Sequence, residues 1–361
     1  MPAAAQFKNP VLYQVGTEPQ VVLAADLNND GKPDLVTADF TSLDISLLKG
    51  NGNGRFQPAM QISTAYGPQA IAIGDFNHDG NPDLAVAEYG LSNSVVQIFL
   101  GRGDGTFVPG ATYNTAPLPY DIAAADFDGD GRLDLAIADS SSNTVSVMRG
   151  NGDGTFGNAV TYRVKLPERV LAVDVNGDGH PDLAVLAYCG KHTAICKSGA
   201  VAILLNKGNG TFGKAAYFSV RGVGPDGIAA ADLNHDNRMD LVVANNNFQQ
   251  PSTISVLLGN GDGTFGRAKT YAVGSGPAGV AIADFNGDGN ADVAVANTAS
   301  ATVSVLPGKR DGRFGRARTI QFAQGSLPIY AIAGDFDKNG APDLAIALSY
   351  ANEVGVLRNR R

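Results

Sequence analysis

Along this 361-residue chain, small and β-branched apolar residues alternate with polar ones in short stretches, and no stretch carries a helical stripe. The segment Ala278-Gly-Val-Ala-Ile-Ala-Asp-Phe285 alternates with period two, and Asp292-Val-Ala-Val-Ala296 and Thr302-Val-Ser-Val-Leu306 continue it. A Gly-rich turn then leads into Phe314-Gly-Arg-Ala-Arg-Thr-Ile320. Four short strands in about fifty residues is the size of one β-propeller blade. The unit returns seven times, which predicts an all-β chain: a single seven-bladed β-propeller over residues 1–361, with four-stranded antiparallel blades. The seventh unit ends at Val354-Gly-Val-Leu357 without a fourth strand, while Phe7-Lys-Asn-Pro-Val-Leu-Tyr13 stands alone at the start with the Phe-to-Tyr spacing of Phe107 and Tyr113. The N-terminal strand, about residues 7–16, is therefore predicted to complete the last blade and hide two sheet edges.

Between the first two strands of every unit lies Asp-x-Asn/Asp-x-Asp-Gly-x-x-Asp, beginning at Asp26, Asp75, Asp126, Asp174, Asp232, Asp284 and Asp335, 48 to 58 residues apart. Oxygens at positions 1, 3, 5 and 9 of such a loop can converge on one hard cation, with a backbone carbonyl added at position 7. The candidate ligands are Asp26, Asn28, Asp30, Asp34; Asp75, Asn77, Asp79, Asp83; Asp126, Asp128, Asp130, Asp134; and Asp174, Asn176, Asp178, Asp182. They continue as Asp232, Asn234, Asp236, Asp240; Asp284, Asn286, Asp288, Asp292; and Asp335, Asp337, Asn339, Asp343. Asn237 replaces the central Gly in the fifth copy, which is expected to be the weakest site. An EF-hand needs a Glu at position 12 between helices; here that position is Thr37, Val86, Ile137, Val185, Val243, Val295 or Ile346, between strands. Asp, Asn and Gly are also plain turn-formers, but seven copies with four aligned oxygen ligands favour calcium.

Charge supports that reading. The loops hold 22 of the 35 acidic residues, and seven bound Ca²⁺ would carry the formal charge from −8 to +6. Lys and Arg are scattered, so no nucleic-acid surface is expected. The Gly-rich turns such as Gly150-Asn-Gly-Asp-Gly-Thr-Phe156 lead into strands rather than helices, which argues against phosphate cradles.

Joined to the acidic loops, Phe156-Gly157-Asn158-Ala159, Phe212-Gly213-Lys214-Ala215, Phe265-Gly266-Arg267-Ala268 and Phe314-Gly315-Arg316-Ala317 resemble the FG-GAP/VCBS repeat family over essentially the whole chain. That family includes the integrin α-subunit propeller, calcium-binding fungal propeller lectins and many secreted bacterial proteins. The resemblance implies a seven-bladed propeller with up to seven structural Ca²⁺, and a glycan or extracellular protein ligand on the opposite face. The lectin-like reading comes first, with an integrin-like adhesion module as the alternative. The chain has no Trp, so its 11 Tyr would supply sugar-stacking faces.

The seven units diverge in the connections between second and third strands and just after each repeated Pro. Candidate ligand contacts there are Tyr89, Tyr120, Glu168, Arg169, Tyr188, His192, Asp226, Phe248, Tyr330 and Tyr350. The longest connection holds Cys189-Gly-Lys-His-Thr-Ala-Ile-Cys196; a Cys189–Cys196 disulfide, two inert thiols, or metal ligation with His192 are the alternatives. His78, His180 and His235 lie in the acidic loops at non-ligand positions, and no catalytic constellation remains once the calcium ligands are set aside. A polysaccharide lyase, with His192 and Tyr188 as its pair, is the enzyme-class rival. Neither a signal peptide nor a membrane span is visible in the sequence. A secreted, monomeric protein without membrane insertion is expected.

Overall fold

In the computed structural model, residues 5, 7–90, 93–188, 199–246 and 252–360 are described. They form seven four-stranded antiparallel sheets, which makes the protein a seven-bladed β-propeller. Blade 1 comprises Pro19–Ala25, Asp34–Asp39, Asp44–Leu48 and Met60–Ser63, and the later blades repeat this order outward from the axis. Blade 7 joins Pro328–Gly334, Asp343–Leu348 and Glu353–Leu357 to the N-terminal strand Val11–Gln14. The expected closure thus holds, with Leu12 opposite Gly355 and Tyr13 opposite Val354. Among the described residues, a 3-10 turn at Ser140–Ser142 is the one helical element, and no helix is long and apolar enough to cross a membrane.

The second strands are buried along their length, as in Asp34–Asp39 and Asp134–Asp139, with only Tyr89 at the end of the blade 2 strand partly exposed, because sheets cover both of their faces. The innermost strands touch one another in an unbroken circuit around the axis. Between blades, the repeated Phe acts as a staple. Phe156 of blade 3 meets Phe76 of blade 2 edge-on at 5.5 Å and Tyr113 at 6.0 Å, and its N–H donates to the Tyr113 hydroxyl at 2.7 Å. Phe212 does the same against Phe127 and Tyr162, and Phe56 against Phe336 and Tyr13, across the closure. Each ring pair adds about 0.5–1.5 kcal/mol beyond area burial. The Gly-rich turns dock on the preceding blade: Gly54, Gly154 and Gly210 donate their N–H to the carbonyls of Phe336, Phe76 and Phe127.

Two local details differ from the sequence expectation. The Phe-Gly-x-Ala stretches are not continuous strand: Phe156, Phe212, Phe265 and Phe314 each make one isolated bridge, and the outer strand resumes at Val160, Ala216, Lys269 and Arg318. The following Gly turns its N–H back onto the residue just past the third strand (Gly157 to Arg149 O, 2.8 Å), outside the regular ladder. The N-terminal strand is shortened likewise, with Phe7 bridged to Asn359 ahead of Val11–Gln14. In addition, every innermost strand has a register shift just after its Pro or Gly-Pro start. In blades 4 and 6 the shift spans two residues, Glu168-Arg169 and Ala278-Gly279. Such bulges re-aim side chains.

Candidate functional site

At one end of the innermost strands, each acidic turn is built from its own side chains. In the first, Asp26 accepts the N–H groups of Asp30 and Gly31 at 3.0 and 2.7 Å, and Asn28 accepts that of Asp30 at 3.0 Å. The residue at position 9 acts as a clasp. Asp34 is fully buried, with Oδ2 accepting from Leu27 N at 3.0 Å and Oδ1 from Gly50 N at 2.7 Å. Asp83, Asp134, Asp182, Asp240 and Asp343 repeat this two-point clasp, and Asp292 makes it one residue later, on Asn286 N. Burial pushes Asp134, Asp182, Asp240, Asp292 and Asp343 up to about 6, against these backbone donors. In the fifth turn Asn237 takes a φ of 61° and still donates to Asp232, so the fold of the turn survives the loss of Gly. His78 and His235 are exposed, and His180 is half-buried.

Position 3 divides the turns into two kinds. Asn77, Asn176 and Asn234 each donate their amide to the position-5 carboxylate, which offsets its charge from within. The third and seventh turns have Asp instead, and there the acids converge: Asp126, Asp128 and Asp130 in one, Asp335, Asp337 and Asp343 in the other, with ligand atoms within 4.8 Å of one another. Asp128 Oδ1 and Asp337 Oδ1 are buried without any hydrogen-bond partner. An orphaned carboxylate oxygen inside a ring of acids fits a hard cation. Competition differs between the two. Arg132 pairs with Asp130, and Arg149 lies 3.3 Å from Asp128, whereas the seventh turn has Ala341 where Arg132 stands in the third.

At the other end of the same strands, six of the ten candidate ligand contacts come together. Arg169, lifted by the blade 4 bulge, reaches over the axis. Its guanidinium lies 5.9 Å from the ring centre of Tyr120 in blade 3 and 5.5 Å from that of Tyr330 in blade 7. It stands 4.0 Å from Asp121 Oδ1 and 4.0 Å from Asp226 Oδ1, and its Nε donates to Asp226 O at 3.1 Å. Burial alone would lower its pKa, but Asp121 and Asp226 raise it, so it stays charged. Glu168 and Tyr188 sit within electrostatic reach of Asp226 and of each other. Burial, then Asp226, pushes Glu168 up to about 8; burial, then Asp121, pushes Tyr330 up to about 12. Arg169, Asp121, Asp226 and Tyr330 line a cavity of about 70 Å³, together with Gly227 and Gly279. These glycines let the inner strands of blades 5 to 7 close up, since a Cβ would fall 1.9 Å from Ala278 O and 2.6 Å from Tyr330 Cα. Loosely held charges flanked by phenol faces suit a polyhydroxylated or charged ligand.

The FG-GAP-like repeat pattern matches residues 26–86, 75–137, 126–185, 174–243, 238–295 and 284–346, each match running from one acidic turn into the next unit. The chain belongs to the FG-GAP-like repeat family. No curated protein matches its sequence. Among solved structures, it is similar to an Agrocybe aegerita lectin studied for specific recognition of non-reducing terminal N-acetylglucosamine. That pair shares 20% identity over 96% of this chain and 97% of the lectin, with a TM-score of 0.59. It is also similar to Kuenenia stuttgartiensis hydrazine synthase (12% identity, 96% and 97% covered, TM-score 0.67). A third likeness is to a catalytically inactive virginiamycin B lyase from Staphylococcus aureus with quinupristin (11% identity, 98% and 99% covered, TM-score 0.62). At these identities the likenesses establish the fold alone.

The other candidates in this FG-GAP propeller lie apart from the recess. Tyr89 stacks on Phe40 at 6.3 Å and borders a neutral groove of about 310 Å³ between blades 2 and 3, with Asn93, Asn114 and Ser141. Tyr350 is 78% exposed on the blade 7 connection. His192, Phe248, Cys189 and Cys196 fall outside the described residues, and with them the disulfide and the His192 half of the lyase pair. Sequence reasoning missed Asp121, although it follows Tyr120 directly in the divergent position after Pro119. It also missed Asp39, Glu88 and Asp139, buried acids near the ends of apolar second strands. Burial pushes each up to about 7; Asp39 accepts from Ser46 and Gly16, and Glu88 from Ala65 and Tyr66. Their signal was an acid recurring at one register in three successive units.

Proposed function

We propose that this protein is an extracellular recognition module that binds a glycan at the axial recess, with calcium in the acidic turns stiffening the ring from the other side. One observation carries the reading: Tyr120, Asp226 and Tyr330, each from a different blade, gather around the Arg169 guanidinium of a fourth on the face opposite the acidic turns, with Glu168 and Tyr188 within electrostatic reach. Aromatic faces with nearby carboxyl and guanidinium groups are the chemistry that grips sugar rings and their hydroxyls. The similar Agrocybe lectin supports a glycan ahead of a protein ligand. In the turns, Asp126, Asp128 and Asp130, and Asp335, Asp337 and Asp343, would hold the cation first. The cation would neutralise carboxylates that otherwise repel, while the position-9 Asp keeps each turn clasped to its blade.

A glycan array probed in millimolar calcium, beside a chelated control, tests the function. Binding to a defined sugar class that is lost in Arg169→Ala supports it. A blank array from folded, calcium-loaded protein overturns the glycan reading and moves the module toward protein recognition.

A further inference from the structure

Away from the axis, charge is unevenly shared around the outer rim. From the repeated Phe to two residues past the outer strand, blades 1 and 2 (56–65 and 107–116) carry no charged residue. The same stretches of blades 3 and 4 hold Arg163 and Lys165, then Lys214 and Arg221. Those of blades 5 and 6 hold Arg267 and Lys269, then Arg316 and Arg318, and none of these stretches contains an acid. All eight cations are exposed, and none forms an ion pair with the described residues.

In sequence the pairs stand about fifty residues apart; the ring brings them side by side. Lys165 N donates to the Tyr217 hydroxyl of blade 4 at 3.2 Å. Arg221 of blade 4 places Nη1 3.5 Å from Ala268 O of blade 5, between Arg267 and Lys269. Ala268 itself is buried, so the cations on either side of it turn outward. Phe314 packs on Tyr271 at 5.5 Å and ties the stretch with Arg316 and Arg318 to blade 5. The result is a stripe of one sign, in a chain whose acids outnumber its bases 35 to 27. A face that served solubility alone would mix both signs; an unbroken positive stripe attracts a polyanion.

We propose that this stripe is a docking surface for an acidic polysaccharide, a linear chain bearing sulfate or carboxylate groups, laid along the outer rim of blades 3 to 6. It is a second surface, separate from the axial recess. Shape selects the partner: the outermost strands lie on the convex edge of a closed ring, which a linear polymer can follow, whereas a flat bilayer meets such an edge at one blade. Chemistry agrees. Guanidinium forks pair with oxyanions in two-point contacts. Exposed Thr161, Thr270 and Thr319 and the 45%-exposed Tyr217 stand among the cations, offering hydroxyls and a ring face to sugars. A single-stranded nucleic acid calls for a row of aromatic platforms, and Tyr217 is the one large exposed ring on the stripe among the described residues.

The test is binding of the whole chain, in millimolar calcium at pH 7, to immobilised dextran sulfate and hyaluronate. Uncharged dextran, single-stranded DNA and phosphatidylserine vesicles are run beside them. One or both acidic polysaccharides are expected to bind and dextran not to, with affinity falling at least tenfold between about 0.05 and 0.5 M sodium chloride as the charges are screened. Replacing Arg221, Arg267 and Lys269 together by Gln is expected to weaken binding at least tenfold, and Arg316→Gln with Arg318→Gln by a smaller factor. The same replacement of Lys49, Arg55 and Arg102 removes equal charge from blades 1 and 2 and is expected to cost less than twofold. Melting temperatures measured in parallel show which variants fold. Arg169→Ala is expected to keep polysaccharide binding, which separates this surface from the recess. Equal losses from the two triple replacements overturn the assignment to the stripe. Absence of binding to both acidic polysaccharides, or tighter binding to DNA or vesicles, overturns the inference and leaves the recess reading to its own array.

Discussion

At one end of the innermost strands the seven blades are near copies; at the other end they diverge. The acidic turns repeat one set of bonds: position 1 gathers the N–H groups of the turn, and position 9 fastens it to the strands. Just after the repeated Pro, the corresponding sites hold Gln20, Gln69, Tyr120, Glu168, Asp226, Ala278 and Ile329. The difference separates two kinds of requirement. Every blade must turn its chain and dock on its neighbour, so the residues that do this recur in every unit. A single recess on the axis is shared by all blades, so each contributes a different side chain, and glycine where backbones must meet.

The widest gap between the two ends should open on chelation. Cations bound only by the folded ring stabilise it by about 2.7 kcal/mol per site at a hundredfold excess over Kd, so EDTA is expected to lower the melting temperature sharply while leaving the recess side chains in place. An unchanged melt would mean that the turns stand on their own hydrogen bonds. Next in size is Asp343→Ala, which strands the N–H groups of Phe336 and Asn359 in the core at about 1–3 kcal/mol each. Urea unfolding reads it. Loss of less than 1 kcal/mol would show that the clasp is redundant.

Arg169→Ala probes the other end. It leaves Asp121 and Asp226 facing each other without their cation. The expected loss is roughly 2 kcal/mol, below the about 3–5 of a tightly paired buried ion, because both pairs stand at 4.0 Å and the side chain keeps 13% exposure. Chelation and this substitution should act additively, since they touch opposite ends of the strands. Strong coupling between them would collapse the distinction between scaffold and recess.

The legibility of each end follows from the same contrast. Seven copies of Asp-x-Asn/Asp-x-Asp-Gly-x-x-Asp, with apolar strands on either side, made the blades, their number and the strand swap at the closure readable, because repetition averages away local ambiguity. The recess was half readable. Divergence after Pro119, Pro167, Pro225 and Pro328 pointed to Tyr120, Glu168, Arg169, Asp226 and Tyr330. What could not be read was their meeting. That depends on a two-residue bulge at Glu168-Arg169 and on the approach of blades 5 to 7 at Gly227 and Gly279, and neither has a local sequence rule. Asp121 was overlooked because strand alternation places it opposite Tyr120, and the bulge that brings it to Arg169 is a property of the sheet.

The smallest effect is the most specific to the recess. Glu168 holds its proton up to about 8 in the folded chain against an ordinary value of 4.5, chiefly through burial. The folded state therefore binds that proton more tightly than the unfolded one. The resulting stability is complete below 4.5 and is lost as pH rises through about 8. Glu168→Gln cannot ionise, so its melting temperature should gain on that of the parent as pH climbs from 5 to about 8.5, at constant calcium. Asp39, Glu88 and Asp139 titrate in both chains, and their contribution cancels in the difference. A flat difference across that range would place Glu168 in open solvent, removing the acid wall from the recess while leaving the acidic turns untouched.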